Sequence, residues 1–336
     1  VTFPPLPSSW FSLKNYQLEN MKAFIKTQYG GPEILRFEEI ELAPLKENEI
    51  RVKVMANSAN PADWHILRGA PFAARFTTGL FKPKDKILGA DFAGIVEKTG
   101  TNIKHFQVGD RVFGESLIGG AFAEYIQIPE TSCAKMPIDS SFIEMACIPI
   151  AGLTALQAID THAKLQVGES VLINGASGGV GHFAVQIAKA RGAKVTAVCS
   201  SKNIGFVESL GADKVIAYDK ENIHTHKGSY DVVIDTNGNL NFDDYKRMGK
   251  RGVMIGFTSL GHMASVLLKK MLGSFPLIQF TAEVNKTDLE TLAGLVEQKQ
   301  IKVQIEKTFS YKEIPDAIAY IESMRTKGKV AMSWEK

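Results

Sequence analysis

Three glycines, Gly175, Gly178 and Gly181, punctuate the run Asn174-Gly-Ala-Ser-Gly-Gly-Val-Gly181 at a G-x-x-G-x-x-G spacing. An apolar stretch, Val171-Leu-Ile-Asn174, precedes them. Val180 to Arg191 follows with helical spacing that turns Phe183, Ile187 and Ala188 inward. Strand, tight turn and helix in that order make such a spacing informative. Glycine permits the turn and lets the backbone approach a pyrophosphate, whose charge then rests on the amides at the helix N-terminus. Ser177, Gly178, Gly179, Val180 and Gly181 are therefore expected to hold a dinucleotide, with a purely structural turn as the bland alternative.

Which dinucleotide is decided about twenty residues on, where an acid ending the second strand would bind the free 2′-hydroxyl of NAD. Ser200-Ser201-Lys202 stands there instead. Two hydroxyls and an ammonium suit a 2′-phosphate, and the repulsion of an acid is absent, which favours NADPH. Tyr218, at the end of the third strand, is placed against the same phosphate and adenine. Ser200 and Ser201 would serve equally well as caps of the following helix.

The turn needs a sheet to position it. After Pro149 strands and helices alternate: Val171–Asn174, a helix, Lys194–Cys199, a short helix from Ile204 to Leu210, then Lys214–Tyr218, Tyr230–Asp235 and Gly252–Gly256. That rhythm predicts a doubly wound parallel sheet over residues 146–280. Residues 21–145 read differently, as short β-segments such as Met21–Ile25, Ile50–Val54 and Ala93–Val96 separated by turn residues, which predicts a β-barrel-like unit. Helices at Lys286–Lys299 and Glu313–Met324 and strands at Val303–Ser310 and Val330–Ser333 are expected to carry residues 281–336 back to the first unit. The fold class is thus α/β, a Rossmann-type sheet inserted into a barrel.

Composition narrows the function. With 39 basic and 36 acidic residues among 336, the net charge of +3 gives no blanket positive field for nucleic acid. No stretch is long and apolar enough for a membrane span. Cys133, Cys147 and Cys199 are odd in number and far apart, which argues against a disulfide framework and points to the cytoplasm. Residues 1–20, with Pro4, Pro5 and Pro7 ahead of Trp10 and Phe11, fit neither a secretory nor a mitochondrial leader and are read as an N-terminal extension.

These motifs resemble the medium-chain dehydrogenase/reductase superfamily, specifically its zinc-free quinone oxidoreductase branch. The resemblance is carried by Asn60-Pro-Ala-Asp-Trp-His-Ile-Leu-Arg-Gly69, Leu88-Gly-Ala-Asp-Phe-Ala-Gly-Ile-Val96, Val108-Gly-Asp-Arg-Val112, Gly119-Gly-Ala-Phe-Ala-Glu-Tyr125, Ala151-Gly-Leu-Thr-Ala155 and the glycine turn. It implies a GroES-like catalytic domain packed on the Rossmann domain, with the active site between them. Zinc-containing relatives place a cysteine where Asn60 stands and Gly-His-Glu where Gly89-Ala90-Asp91 stands. An alanine cannot bind metal and three scattered cysteines cannot form a structural zinc lobe, so no metal is expected.

Without a Lewis acid, a simple ketone is a poor hydride acceptor, whereas an enone or quinone spreads the added charge into an enolate or hydroquinone. The expected activity is NADPH-dependent reduction of a quinone or an α,β-unsaturated carbonyl compound, with protonation by solvent. Asn60, in the place of a metal ligand, is expected to orient the substrate oxygen or the nicotinamide, and Thr154 to contact the nicotinamide unless it simply starts a helix. Asn237 is placed in the cofactor set, and by family analogy the backbone at Gly256 and Phe257 and the side chain of Lys329 close over the nicotinamide. Asp63 is expected to support the local backbone. His65 reads as structural, and His224 and His226 as residues of a solvated loop.

Two competing readings remain. One is a 2-enoyl thioester reductase of the same superfamily, against which Trp64 stands in the segment that carries a catalytic tyrosine there. The other is a non-enzymatic NADPH-binding adaptor. The apolar segment Met263–Leu272 is expected to be an interior or interface helix, with a homodimer contact among its open roles.

Overall fold

The computed structural model describes residues 19–116 and 119–335. The N-terminal extension therefore lies almost wholly outside the described residues, and Asn20 already opens the first strand. β1 (Asn20–Ile25) and β2 (Arg36–Glu41) form a separate antiparallel pair.

β3 (Glu49–Ala59), β4 (Asp91–Thr99), β5 (Arg111–Glu115), β6 (Tyr125–Pro129) and β7 (Cys133–Lys135) build an antiparallel sheet. Ile50, Val52 and Val54 of β3 alternate into a core with Phe92, Val96, Val112 and Ile126.

The second sheet consists of β8 (Ser170–Asn174), β9 (Lys194–Cys199), β10 (Lys214–Ala217), β11 (Tyr230–Asp235), β12 (Gly249–Met254) and β13 (Leu277–Gln279), in the order β10-β9-β8-β11-β12-β13. Every neighbouring pair is parallel. Covered on both faces, its central strands carry continuous apolar runs, and Val171, Leu172 and Ile173 are all fully buried. The chain then returns: β14 (Ile305–Ser310) and β15 (Lys329–Ser333) join the first sheet, with β15 antiparallel to β3.

One apolar cluster runs through both units, from Ala56, Ala93 and Phe113 through the helix Pro149–Leu156 to Val171 and Phe183. The helix Leu260–Leu272 departs from expectation. Only Val266 of it is buried, while Leu268, Met271 and Leu272 are exposed, so it is not an interior helix. It packs beside the helix Phe242–Met248, with Val266 and Met263 reaching the cluster that holds Phe242, Tyr245 and Met254. Among the described residues no helix is long and apolar enough to cross a membrane.

Candidate active site

Strand register assembles the first half of the site. Val330 of β15 pairs with Ala59, which sets Lys329 beside Asn60; Ser58 pairs with Asp91, and Asp91 with Glu115. All five polar residues are buried.

The Asp91 carboxylate is the hub. Ser58 Oγ donates to it at 2.7 Å, Asn60 Nδ2 at 2.8 Å, the Ile150 backbone N–H at 2.9 Å and Lys329 Nζ at 3.3 Å. Lys329 Nζ also donates to Asn60 Oδ1. Four donors, one of them charged, make a buried carboxylate tolerable. This changes the reading of Asn60. Both ends of its amide are engaged, Nδ2 by Asp91 and the Ser58 carbonyl and Oδ1 by Lys329. Lys329 ends its side chain in this cluster.

Two further acids crowd the cluster. Asp63 accepts the Asn60 backbone N–H at 2.7 Å in a capping box of the helix Pro61–Arg68, the backbone support expected of it. Burial pushes its pKa up to about 7. Glu115 is pushed up to about 8, first by burial and then by Asp91, and its Oε2 has no hydrogen-bond partner among the described residues. With Asp91 and Asp63 both raising it and Lys329 pulling the other way, Glu115 keeps its proton at neutral pH. Burial also pushes the Cys147 thiol up to about 12, leaving it unreactive, and His182 down to about 4.

The glycine turn supplies the second half. Gly175 has φ +81, and a Cβ on Gly181 would lie 2.1 Å from the Gly175 carbonyl oxygen, so glycine is required at both positions. Gly178 caps the helix Gly179–Ala190, with Val180 in its first turn. The returning chain rests on this turn: Gly328 N–H donates to the Ser177 carbonyl at 2.9 Å, and a Cβ on Gly179 would touch Lys329 Cδ at 3.6 Å. Lys329 thus joins the turn to the Asn60–Asp91 cluster.

At the far end of the crevice, Ser200 is the N-cap of a short turn but makes no side-chain cap bond. Ser201 gives its backbone N–H to Asp219 Oδ1 at 2.7 Å and its hydroxyl to Asp219 Oδ2. An acid therefore does stand beside the serines, contrary to the sequence reading; it comes from the turn that follows the neighbouring strand β10. Lys202 and Tyr218 are exposed. A cavity of about 550 Å³ is lined by Asn174, Tyr218, Asp219, Lys220, Asn237 and neighbours, at the carboxyl ends of β8, β10 and β11.

Thr154 Oγ1 donates to the Ile150 carbonyl at 2.6 Å, so the residue that anchors Asp91 also fixes Thr154. Asn237 N–H donates to Asp235 Oδ1 at 3.1 Å, and its side chain lies against Gly175. Gly256 packs on the backbone of Thr236 and Asn237, with exposed Phe257 following. His65 Nδ1 bonds the Ala70 carbonyl at 2.9 Å, whereas His224 and His226 pair with different acids, Asp244 and Glu221. Ser58, Asp91, Glu115 and Asp219 were given no role from sequence. The available signal for the first three was polarity inside apolar strands.

The family described as alcohol dehydrogenase GroES-like domain matches residues 46–138, and that described as zinc-binding dehydrogenase matches residues 210–332. The chain is 32% identical over 327 residues to the chloroplast envelope quinone oxidoreductase homolog of Arabidopsis thaliana, across 92% of this chain and 97% of that protein. The chain belongs to the medium-chain dehydrogenase/reductase superfamily, in its quinone oxidoreductase branch. It is an oxidoreductase. A second Arabidopsis relative, the NADPH-dependent alkenal/one oxidoreductase of the chloroplast, is 31% identical over 94% of this chain and 80% of its own length. The Escherichia coli quinone oxidoreductase in complex with NADPH superposes with a TM-score of 0.78 at 26% identity, covering 93% of this chain and 99% of that one. Although one matching family is described by zinc, no group of three or more His, Cys, Asp or Glu is arranged to hold a metal ion among the described residues.

Proposed function

We propose that this oxidoreductase reduces a quinone or an α,β-unsaturated carbonyl compound with NADPH and without zinc. The observation that carries the reading is Lys329, whose stem crosses the glycine turn while its ammonium ends on Asn60 and Asp91. A nucleotide turn and a buried polar cluster are thereby held side by side, as hydride transfer requires.

The residues fit the cofactor. Residues 177–181 present the amide end of the helix Gly179–Ala190 to a pyrophosphate, with Gly181 letting that helix pack closely on Gly175 and Ala176, and Tyr218 and Asn237 line the cavity that would take the adenosine, with Ser200, Ser201 and Lys202 beside it through the Ser201–Asp219 contacts. When bound, the reduced nicotinamide supplies the hydride. The chain does the rest: Asn60 and Asp91 hold Lys329 in place, Thr154 and the backbone at Gly256 and Phe257 bound the reacting space, and neutral Glu115 keeps a proton nearby. Asn60 and Ala90 stand where zinc-containing relatives place ligands, so the acceptor must delocalise the incoming charge itself, as quinones and enones do. The names of the relatives run the same way.

The units follow as residues 21–145 and 281–336 for the catalytic part and 146–280 for the nucleotide part. Three buried free thiols suit the cytoplasm or another reducing compartment. Exposed Leu268, Met271 and Leu272 support a homodimer, which sedimentation reads directly.

The deciding experiment offers purified protein and NADPH a panel of quinones, 2-alkenals, enones and enoyl thioesters while cofactor absorbance is followed. Turnover of quinones or enones is expected. Tight NADPH binding with no turnover of any of them would leave only an adaptor role, turnover restricted to thioesters would name the other reductase, and stoichiometric zinc by elemental analysis would remove the metal-free chemistry.

A further inference from the structure

Asp219 is close to Ser200-Ser201-Lys202 only in three dimensions. It follows β10, which runs parallel to β9, so the two strand ends meet and the carboxylate reaches Ser201 across 18 positions of chain. It lines the cavity together with Tyr218, Asn174 and Asn237. The carboxyl ends of a doubly wound sheet at its change of strand order are where a dinucleotide sits, and β8 and β11 flank that change here.

We propose that Asp219 sets the balance between NADPH and NADH, narrowing the preference for the phosphorylated cofactor. This rests on the nucleotide half of the function proposed above and not on its substrate half.

The two donors of Ser201 that suit a 2′-phosphate, its backbone N–H and its hydroxyl, are already spent on Asp219. A phosphate that claims them must displace the carboxylate and then stand close to its charge. Exposed Lys202 follows Ser201 and exposed Lys220 follows Asp219, and their charges offset part of that repulsion. The free 2′-hydroxyl of NADH meets no such conflict. A carboxylate with two donors has lone pairs left, and the hydroxyl can donate to one of them without breaking the Ser201 contacts. The same aspartate that disfavours one cofactor therefore receives the other. Because Asp219 is exposed, solvent and salt moderate the effect, and the outcome is a narrowed preference rather than a reversed one.

Calorimetric binding to the full chain, without substrate, tests this with four probes: NADPH, NADH, 2′,5′-ADP and 5′-AMP. Asp219→Asn keeps an acceptor for Ser201 and removes the charge. NADPH and 2′,5′-ADP are expected to bind about five- to tenfold more tightly to it, with NADH and 5′-AMP unchanged or weaker. Asp219→Ala should shift the ratios the same way, so the result does not hang on one variant folding. Equal changes for phosphorylated and unphosphorylated probes, or none for NADPH, would overturn the proposal. If all four bind as expected but no quinone or enone turns over, the substrate half fails and Asp219 keeps its role. If none binds to wild type, both fall.

Discussion

The carboxyls of Asp91 and Glu115 face each other across β4 and β5, directly in register and both buried, yet they are treated differently. Asp91 collects four donors, whereas Glu115 Oε2 has none among the described residues. The fold spends its local hydrogen bonds on one acid and leaves the other protonated.

Stability should therefore depend on pH in a defined direction. Glu115 has a folded pKa of about 8 against an ordinary 4.5, so its contribution is complete below 4.5 and is lost as the pH rises towards 8. Glu115→Gln should flatten that fall and be more stable than wild type at pH 8 by roughly 1–3 kcal/mol, read by urea unfolding at several pH values. Asp63, at about 7, leaves a shallower slope of the same sign. An unchanged slope in the glutamine variant would show that Glu115 is ionised in the folded protein.

The Asp91–Lys329 pair should be asymmetric. Asp91→Ala strands a buried ammonium and should lower unfolding free energy by about 3–5 kcal/mol. Lys329→Met preserves the stem and leaves Asp91 with three donors, so it should lose less than half as much. Equal losses in chemical denaturation would contradict this ranking.

Asn60→Ala should separate binding from turnover. The variant releases Lys329 from one of its two acceptors without touching the glycine turn. NADPH affinity should stay within about threefold while kcat falls by about 10- to 100-fold, the scale of a small misplacement of reacting groups. A matching loss of NADPH affinity would make Asn60 a cofactor ligand instead.

Gly181→Ala should fail for a steric reason. Its Cβ would meet the Gly175 carbonyl at 2.1 Å, and a backbone atom held by the turn cannot move aside. A loss of about 1–3 kcal/mol in stability is expected, together with nucleotide binding too weak to measure by calorimetry. Near-normal binding would mean that the turn relaxes and is not the pyrophosphate site proposed above.

Some of this architecture was legible from residues alone because the constraints are local. The spacing of Gly175, Gly178 and Gly181 reports a steric demand within a few residues, and Val171–Ile173 followed by the helical period of Phe183 and Ile187 reports how one strand and one helix are covered. The apolar row of Met263–Leu272 left interior and interface open, because a helix period does not say how much of a helix is covered; exposed Leu268, Met271 and Leu272 rule out the interior.

What sequence determined by itself, then, is the strand-turn-helix proposed to receive a dinucleotide, the alternation that makes a parallel sheet, and the family to which the chain belongs. Tertiary structure alone decided that Ser58, Asn60, Asp91, Glu115 and Lys329 form one buried cluster and that Asp219 clasps Ser201. Lys329 and Asn60 are 269 positions apart, and Asp219 reaches Ser201 from the turn after a different strand. Such meetings are set by register between strands, and register belongs to the packed sheet rather than to any short stretch of the chain.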